Sequence, residues 1–308
     1  MLIFFNGGFL LILVWCLCTA FAYTFIGSVQ EQYMPITMCF YIFLISALFF
    51  IIVNLKRLPM LVKRVKCFWR EIVNINTITL FCWLFFFYAL KYIEPAIVAA
   101  LLFGSRFVVM LLIERWFYSA STHQKIDYAI SAGIIIVMIY LIFISLSDYT
   151  AIEIQHSFFQ ITFGLLASIV SGGMLAAGSI SVKRLNLAGF SGMDVMCVRF
   201  FLLLVLTGVV YYFFIPRATN DYYFAEVVFV SALSLILIPQ LLLQGAAMRL
   251  QPVVVAMTLP ITPIIVYCLE FADSRLTTSF WALAGVVVIS VLTSYAAKVR
   301  YQFSFTLS

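Results

Sequence analysis

Charged residues are scarce in this chain. They make up 10% of its 308 residues, whereas an ordinary soluble domain contains about 25%. Hydrophobic residues make up 65%, and no soluble fold of this size has an interior large enough to bury so much apolar surface. Lipid must therefore surround most of the chain. The formal net charge of +6 consequently does not indicate nucleic-acid binding, and its meaning depends on where the positive residues fall.

Groups that catalyse reactions or bind metals are also few. The two histidines, His123 and His156, lie in predicted loops, and the seven cysteines lie almost entirely within apolar runs. Cys16 and Cys18 form a CxC pair, but no histidine or second cysteine pair stands near it to complete a metal site. We therefore interpret the cysteines as packing residues and predict no catalytic residue, no metal and no intramembrane enzyme.

Carboxylates are absent from the middle of every apolar stretch. Glu114 and Glu270 fall at the ends of such stretches, and Asp194 falls at the start of one. A buried carboxylate relay is the usual device for proton coupling. The sequence thus offers no support for proton antiport or for the extrusion of cations, and it leaves substrate exchange and facilitated flux open.

Ten stretches are long and apolar enough to cross a bilayer as helices, for which about 20 residues are needed. The predicted fold class is an all-α polytopic membrane protein with ten transmembrane helices. The first stretch lacks a basic n-region and a cleavage motif, so we expect it to be retained rather than removed as a signal peptide. The predicted spans are Gly8–Ile26, Pro35–Val53, Ile72–Leu90, Pro95–Ile113, Ile126–Ile144, Ser157–Val182, Met193–Ile215, Phe224–Met248, Val253–Phe271 and Ser279–Ala297.

Positive residues fall mainly on one side of these spans. Six of the 18 lie in the single stretch Asn54–Glu71, and thirteen lie on that side in all, against three on the other side and two within spans. The positive-inside rule predicts that this side is cytoplasmic, together with both termini. We expect Asn54–Glu71 to lie against anionic lipid headgroups. The short loops and this bias favour a bacterial inner (plasma) membrane.

A repeat joins the two halves of the chain. The stretch Glu94–Leu112 has a counterpart about 157 residues later, Gln251–Leu269, in which Pro95 aligns with Pro252. We predict two five-helix repeats, residues 1–150 and 151–308, within one membrane domain. Because five is odd, the second repeat enters the membrane with the opposite polarity, and the repeats are inverted.

Several local motifs accompany the ten-span, two-repeat plan. They are Trp15, Val198-Arg199-Phe200, Pro95 with Ala99 and Ala100, Glu114-Arg115, Pro252 to Pro263, and the glycines Gly133 and Gly285. Together they resemble the drug/metabolite transporter superfamily, in particular its EamA-like ten-helix branch. The resemblance covers essentially the whole chain, and it departs from the family where Cys39-Phe40-Tyr41 stands in place of an arginine-phenylalanine pair and where Arg106 stands opposite Pro263. It implies a carrier of small polar metabolites without a cofactor.

Arg106 is the sharpest candidate for substrate binding. It lies about seven residues from the inner end of the fourth span, which is roughly 10 Å below the surface at 1.5 Å per residue. A guanidinium at that depth could face a central cavity and bind a carboxylate or phosphate. It could instead snorkel to the surface.

Other polar and aromatic residues are weaker candidates. Arg199 lies near the cytoplasmic mouth and could instead pair with Asp194 or lipid phosphate, and Gln240 and Gln244 share one helix face but could be interhelical glue. The remaining predicted substrate-binding residues are Trp83, Tyr88, Thr262 and Trp15. The predicted hinges are Pro260, Pro263 and Pro239.

These observations predict a secondary carrier that moves a small polar metabolite by alternating access between inverted repeats, and the metabolite would be anionic if Arg106 faces the cavity. The alternatives are a broad-specificity exporter of amino acids or drugs, and a non-transporting membrane scaffold. The expected partners are a small-molecule substrate and the lipid bilayer, with neither nucleic acid nor an obligate protein partner. Substrate identity, direction of transport and coupling ion are left open by the sequence.

Overall fold

The ten predicted membrane spans are confirmed. A computed structural model describes residues 7–118, 125–147, 156–214, 222–273, 276 and 279–306, and within these ranges it contains ten helical segments long and apolar enough to cross a bilayer. The described residues are almost entirely helical. The spans, named below from first to tenth, are Gly7–Val29, Pro35–Val53, Trp69–Tyr92, Pro95–Trp116, Lys125–Leu146, Phe158–Leu187, Gly192–Phe214, Tyr223–Ala247, Val253–Glu270 and Phe280–Arg300.

The α-helices do not correspond one to one with the spans, because several spans are interrupted. In chain order the helices are α1 (Gly7–Val29), α2 (Pro35–Val53), α3 (Leu58–Cys67), α4 (Trp69–Tyr92), α5 (Pro95–Tyr118), α6 (Lys125–Leu146), α7 (Phe158–Leu187), α8 (Gly192–Val198), α9 (Phe201–Phe214), α10 (Tyr222–Ala232), α11 (Ile238–Ala247), α12 (Pro252–Thr258), α13 (Thr262–Glu270) and α14 (Phe280–Thr306).

The basic stretch between the second and third spans forms a short helix, which the sequence analysis had treated as a loop. A single 3₁₀ turn, Leu55–Arg57, leads into α3, whose only buried residue is Leu61. The helix is strongly amphipathic, with Lys63 and Lys66 exposed. Such a helix suits the interface between water and lipid headgroups, so the new element agrees with the expected position of this stretch.

Interruptions are confined to the second half of the described chain. Each of the first five spans is one continuous α-helix. The seventh span breaks at Arg199–Phe200, between α8 and α9. The eighth contains a π-helical segment, Leu233–Leu237, just before Pro239, and the ninth contains a 3₁₀ turn, Leu259–Ile261. The proline-rich spans are thus irregular where their sequences predict it.

Helix starts follow recognisable capping chemistry. Ser157 caps the sixth span in a reciprocal capping box with Gln160, and Ser191 caps the seventh in the same way with Asp194. The turn between these two spans uses Gly189 at φ 86°, a conformation that side chains disfavour. These caps satisfy backbone groups that would otherwise be orphaned at the membrane surface.

The two halves pack into one core, and their contacts correspond. The third span packs on the sixth as the first packs on the eighth, and the fourth packs on the sixth as the first packs on the ninth. Three further pairs join equivalent spans: second with seventh, fourth with ninth, and fifth with tenth. This pattern is the one expected of two equivalent halves, although the inverted relation of residues 1–150 and 151–308 stays a prediction.

The bundle has two chemically distinct ends. We call the end that carries α3 and the last residues of the tenth span the basic end. We call the other end, where the fourth span begins and the ninth finishes, the opposite end. Glu94 and Glu270 are buried at the opposite end. The positive-inside rule predicts that the basic end is cytoplasmic.

Candidate functional site

A cavity of about 410 Å³ lies between the fourth, ninth and tenth spans. Val253 begins the ninth span and Arg300 finishes the tenth, so the cavity lies in the basic half of the bundle. Its walls are mostly apolar, with two arginines and one threonine. The lining residues are Phe103, Arg106, Phe107, Met110, Val253, Ala256, Leu259, Pro260, Thr293, Ala297 and Arg300.

Arg106 lines this cavity near the middle of the fourth span, and its side chain is bound by a neutral partner. Its Nη2 donates a hydrogen bond to the Ser179 hydroxyl of the sixth span at 3.2 Å, and Ser179 in turn donates to the Leu175 carbonyl at 2.9 Å. Among the described residues, Arg106 forms no ion pair with a carboxylate. The positive charge therefore has a polar anchor but no counter-ion among the described residues.

The second intramembrane arginine, Arg199, occupies a break in the seventh span. The break frees backbone groups, and Asn76 of the third span satisfies them. It donates to the Val198 carbonyl at 2.8 Å and accepts from the Leu202 amide at 3.1 Å. The Arg199 Nε donates to the Thr79 hydroxyl at 3.2 Å. Polar side chains of the third span thus fix both the broken backbone and the arginine that it carries.

The alternative pairing of Arg199 with Asp194 does not form. One Asp194 carboxylate oxygen accepts the Ser191 amide at 2.9 Å in the capping box, and the Arg199 Nη1 contacts the Met196 sulfur at 3.7 Å. The carboxylate is held at the helix start because it satisfies an orphaned backbone amide there. Arg199, like Arg106, is therefore without an anionic partner among the described residues.

Aromatic rings form a continuous path from Arg199 in the seventh span to Tyr23 in the first. The Arg199 guanidinium lies 5.8 Å from the ring centroid of Phe200, which contacts Phe43 at 5.1 Å. Phe43 contacts Trp83 at 5.0 Å. Trp83 meets Phe86 at 5.6 Å, and Phe86 meets Tyr23 of the first span at 4.6 Å. The rings form a wall of aromatic faces and edges, which attract cations and planar groups.

Arg300, the second arginine of the cavity, differs from these two because it is neutralised. Its Nη2 forms a 2.8 Å ion pair with Glu114 at the end of the fourth span, and its Nε lies 3.8 Å from an Asp127 oxygen at the start of the fifth. The cluster ties three spans together at the basic end. Arg106 is accordingly the cavity arginine whose charge is uncompensated among the described side chains.

The sixth span approaches the fourth very closely through Gly172. A Cβ at this position would overlap the Ser105 hydroxyl and the Leu102 carbonyl oxygen. At neighbouring Gly173 a Cβ would meet only Val109, at an ordinary 3.4 Å. The tight crossing therefore lies at Gly172 and not at Gly173. This crossing brings Ser179 within reach of Arg106.

At the opposite end the fourth and ninth spans are joined by a single buried carboxylate. A Glu270 oxygen accepts a hydrogen bond from the Ala96 amide at 2.7 Å. Ala96 lies in the first turn of the fourth span, where backbone amides are free and the helix dipole is positive. At the basic end the same two spans are separated by the cavity.

The other predicted substrate-binding residues are dispersed. Trp83 packs in the aromatic path, whereas Tyr88 faces the sixth span through Phe163 at 5.9 Å, so these two rings do not form one stacking surface. The Gln244 amide nitrogen lies buried beside Gly192 and has no hydrogen-bond partner within the described part of the chain. The remaining residues do not line the cavity beside Arg106: Gln240 and Trp15 are half-buried, and Thr262 is fully buried with its hydroxyl donating to Leu259.

The predicted hinge prolines lie at irregular backbone. Pro260 lies inside the 3₁₀ turn of the ninth span and lines the cavity, and Pro263 follows in the first turn of α13. Pro239 follows the π-helical segment of the eighth span. The backbone is therefore interrupted at all three, while movement about these points stays a prediction.

Three polar residues around the arginines were missed by the sequence analysis: Asn76, Thr79 and Ser179. Each lies within an apolar span, which is the only sequence signal that could have found them. Hydroxyl and amide groups are common in transmembrane helices, where they bond to their own backbone. Their role here depends on which neighbouring helix they face.

Comparison with known proteins agrees with this architecture. The sequence model of the EamA-like transporter family matches residues 6–146. Over these residues the chain matches a family of the drug/metabolite transporter superfamily, as its motifs predicted. The ten apolar helices and this match together indicate an integral membrane protein that is similar to transporters.

No curated protein matches the sequence significantly, but nine chains of solved structure do match. One of these, described as "Crystal structure of protein", superposes with a TM-score of 0.63 over 95% of this chain and 96% of its own length, at 15% sequence identity. At this identity the likeness shows a shared fold alone.

Proposed function

We propose that this transporter is a secondary carrier of a small, polar, anionic metabolite. The observation that carries the proposal is Arg106, a guanidinium in a membrane-embedded cavity whose only hydrogen-bond partner among the described residues is the Ser179 hydroxyl. An arginine within a bilayer is costly, and it cannot shed its proton as a lysine can. A substrate carboxylate or phosphate would supply the missing charge through a bidentate contact.

The two ends of the bundle support alternating access as the mechanism. The fourth and ninth spans are hydrogen-bonded at the opposite end through Glu270 and Ala96, and they are parted by the cavity in the basic half. This is the asymmetry of a carrier open toward one side. If the basic end is cytoplasmic, as the positive-inside rule predicts, the conformation is inward-facing and both termini lie in the cytoplasm of a bacterial inner membrane.

Ligand-induced stabilisation tests the proposal. A metabolite present at about 100 times its dissociation constant should stabilise the folded protein by about 2.7 kcal/mol. We expect acidic metabolites to raise the melting midpoint of the wild type, with no effect on Arg106→Ala. Uptake of the same compounds into proteoliposomes should be abolished in that variant.

Arg115→Ala is the matched control, because Arg115 lies on the same helix but is exposed. It should behave like the wild type in both assays. Hits that are neutral or cationic, and that stabilise the wild type and Arg106→Ala equally, would exclude the anionic substrate.

A second candidate, a broad-specificity exporter of amino acids or drugs, is favoured by the apolar character of the cavity wall. Phe103, Phe107 and Met110 face Leu259 and Pro260 across it, and flexible apolar surfaces of this type accept varied ligands. The same thermal-shift screen separates the two functions. A range of lipophilic hits that do not depend on Arg106 would select the exporter.

A further inference from the structure

The cavity beside Arg106 has one positive charge left for a ligand to neutralise. Arg106 donates to the neutral Ser179 hydroxyl and forms no ion pair within the described part of the chain. The other arginine of the cavity wall, Arg300, already lies 2.8 Å from Glu114 and 3.8 Å from Asp127. One anionic group on a ligand would therefore balance the site, because a single carboxylate matches a guanidinium in a bidentate manner.

A second negative charge on the ligand would be unfavourable at the basic end of the cavity. Arg300 finishes the tenth span at that end, whereas Arg106 lies near the middle of the fourth span. A ligand that extends from Arg106 toward Arg300 approaches Glu114 and Asp127, two carboxylates that share one guanidinium. Like charges in a partly desolvated site repel one another. The cavity thus favours a monoanion over a dianion.

The rest of the cavity wall is apolar. Among the lining residues that the structure describes, Thr293 has the one uncharged polar side chain, and its hydroxyl donates to the Ile289 carbonyl of its own helix at 2.7 Å. A ligand hydroxyl buried here would lose hydrogen bonds to water that the wall cannot replace. An apolar ligand body, in contrast, gains free energy by filling the space. The large apolar residues of the fourth and ninth spans at this wall are Phe103, Phe107, Met110, Leu259 and Pro260.

We propose that the substrate is a small monocarboxylate with an apolar body, aromatic or branched aliphatic. Its carboxylate pairs with Arg106, and its body fills the space between the apolar side chains of the fourth and ninth spans. The inference rests on the proposed function and narrows its substrate class, since it confines the polarity of the substrate to one anionic group. The cavity volume of about 410 Å³ lies near the lower end of the roughly 300–1,000 Å³ of small-molecule sites, which suits a compact ligand.

Two ligand series that change one group at a time test this proposal. The parent acids are 3-phenylpropanoate and 4-methylpentanoate. Each is compared with its uncharged amide, with its α-amino acid (L-phenylalanine or L-leucine), and with benzylmalonate or isobutylmalonate, which add a second carboxylate at the same carbon. Threonate, a polyhydroxy acid of similar size, is the monoanion with a polar body. Dissociation constants are measured by thermal shift at constant ionic strength and about pH 8, where every carboxylate is ionised.

For at least one series we expect the parent acid to bind the wild type about tenfold more tightly than its amide, its amino acid, its malonate and threonate. The amino acid is weaker because its ammonium group meets no free carboxylate, since Glu114 and Asp127 are engaged by Arg300. Arg106→Gln should lower the affinity for the acid to that for the amide. Arg115→Gln, at an exposed position of the same helix, should match the wild type.

Glu114→Gln tests why a second charge is unfavourable. The variant removes the carboxylate that lies 2.8 Å from Arg300, so that this arginine becomes available to an anion in the cavity. The roughly tenfold disadvantage of the malonate should then disappear. Glu71→Gln is the matched control, because Glu71 lies 3.7 Å from Arg184 and neither residue lines the cavity. An unchanged disadvantage in Glu114→Gln would overturn the assignment of Arg300 as the neutralised end of the cavity.

The failures of this inference and of the proposed function give different results. If threonate or a malonate binds at least as tightly as both parent acids, and its binding depends on Arg106, the apolar monocarboxylate is wrong and the anion carrier stands. If L-phenylalanine or L-leucine binds at least as tightly as its parent acid, both give way to the amino-acid exporter. If the amides bind as tightly as the acids, or if no carboxylate of the set stabilises the wild type, both proposals fall.

Discussion

The fourth and ninth spans occupy equivalent places in the two halves, yet they are built differently. The fourth is one unbroken helix, whereas the ninth is divided by the 3₁₀ turn Leu259–Ile261. When the two sequences are aligned, Arg106 in the fourth stands opposite Pro263 in the ninth. One half thus supplies the charge on a regular helix, and the other supplies the bend beside it.

The helices that cross these two spans also contact them differently. The sixth span meets the fourth through Gly172, which rests on the Leu102 carbonyl, whereas the first span meets the ninth through Cys16, whose thiol donates to the Thr258 carbonyl at 3.7 Å. A glycine crossing brings backbones into direct contact, while a cysteine keeps a side chain between them. The comparison suggests that the fourth span is held firmly and that the ninth has freedom to move.

One added methyl group at Gly172 tests the difference between the two helix crossings. Gly172→Ala should lower the free energy of unfolding by about 3 kcal/mol, because the new Cβ would overlap Ser105 and Leu102 and the backbones would have to separate. Cys16→Ala should cost about 1 kcal/mol or less, since it leaves room rather than taking it. Melting midpoints of the purified variants in detergent measure both effects.

Gly173→Ala is the matched control for this prediction. Its Cβ would contact Val109 at 3.4 Å, so the variant should melt close to the wild type. Equal melting midpoints for Gly172→Ala and Gly173→Ala would show that the sixth span does not cross the fourth at Gly172.

Replacing the prolines of the ninth span tests why its backbone is interrupted while that of the fourth span is regular. Pro260→Ala combined with Pro263→Ala should let the ninth span form a regular helix, because alanine lacks the roughly 3 kcal/mol helix penalty of proline. We expect stability to be kept or increased while transport slows about tenfold, if the bend is needed to open the cavity. Unfolding and proteoliposome uptake are measured on the same preparation.

Pro35→Ala serves as the control, because Pro35 stands in the first turn of the second span, where proline is tolerated. It should leave uptake unchanged. Unimpaired uptake in the double variant would mean that the ninth span needs no bend and that the two spans are functionally alike.

The contrast between the two ends depends on Glu270. Glu270→Ala should destabilise the first turn of the fourth span by about 1 kcal/mol, since it removes the acceptor of the Ala96 amide. Hydrogen exchange should accelerate at Ala96 and its neighbours and stay unchanged at the basic end. Glu270→Gln, which keeps an acceptor oxygen, should exchange more slowly than Glu270→Ala.

Glu114→Ala is the corresponding experiment at the basic end, where Glu114 forms an ion pair with Arg300. Faster exchange should then appear around the end of the fourth span and leave Ala96 protected. If Glu270→Ala accelerates exchange at neither end, the opposite end is closed by packing alone.

Only some of the helix interruptions in the second half could be predicted from particular residues. Pro260 and Pro263 predicted the interruption of the ninth span, because proline removes a backbone donor and clashes with the preceding turn. The break at Arg199–Phe200 has no such residue beside it. It is stabilised by Asn76, which comes from another span and was invisible as a partner in the linear sequence.

The site itself was only partly predictable. Arg106 and Arg199 stood out because charges are rare within apolar spans, but their partners Ser179 and Thr79 did not, since hydroxyl groups are frequent there. The pairing of Arg199 with Asp194, one of the alternatives for this arginine, does not form, and a local capping box holds the Asp194 carboxylate at the helix start.

The sequence by itself determined the membrane as solvent, the ten spans, the side on which positive charge collects and the position of the bend in the ninth span. Each follows from composition, length or the covalent limits of proline, which act along the chain. Only the tertiary structure decided which face of each helix turns inward. Lipid and protein interior are both apolar, so these helices carry no amphipathic pattern that marks an inner face. Polar partners and close approaches, such as Ser179 beside Arg106 and Gly172 against Leu102, therefore emerge only when the spans pack together.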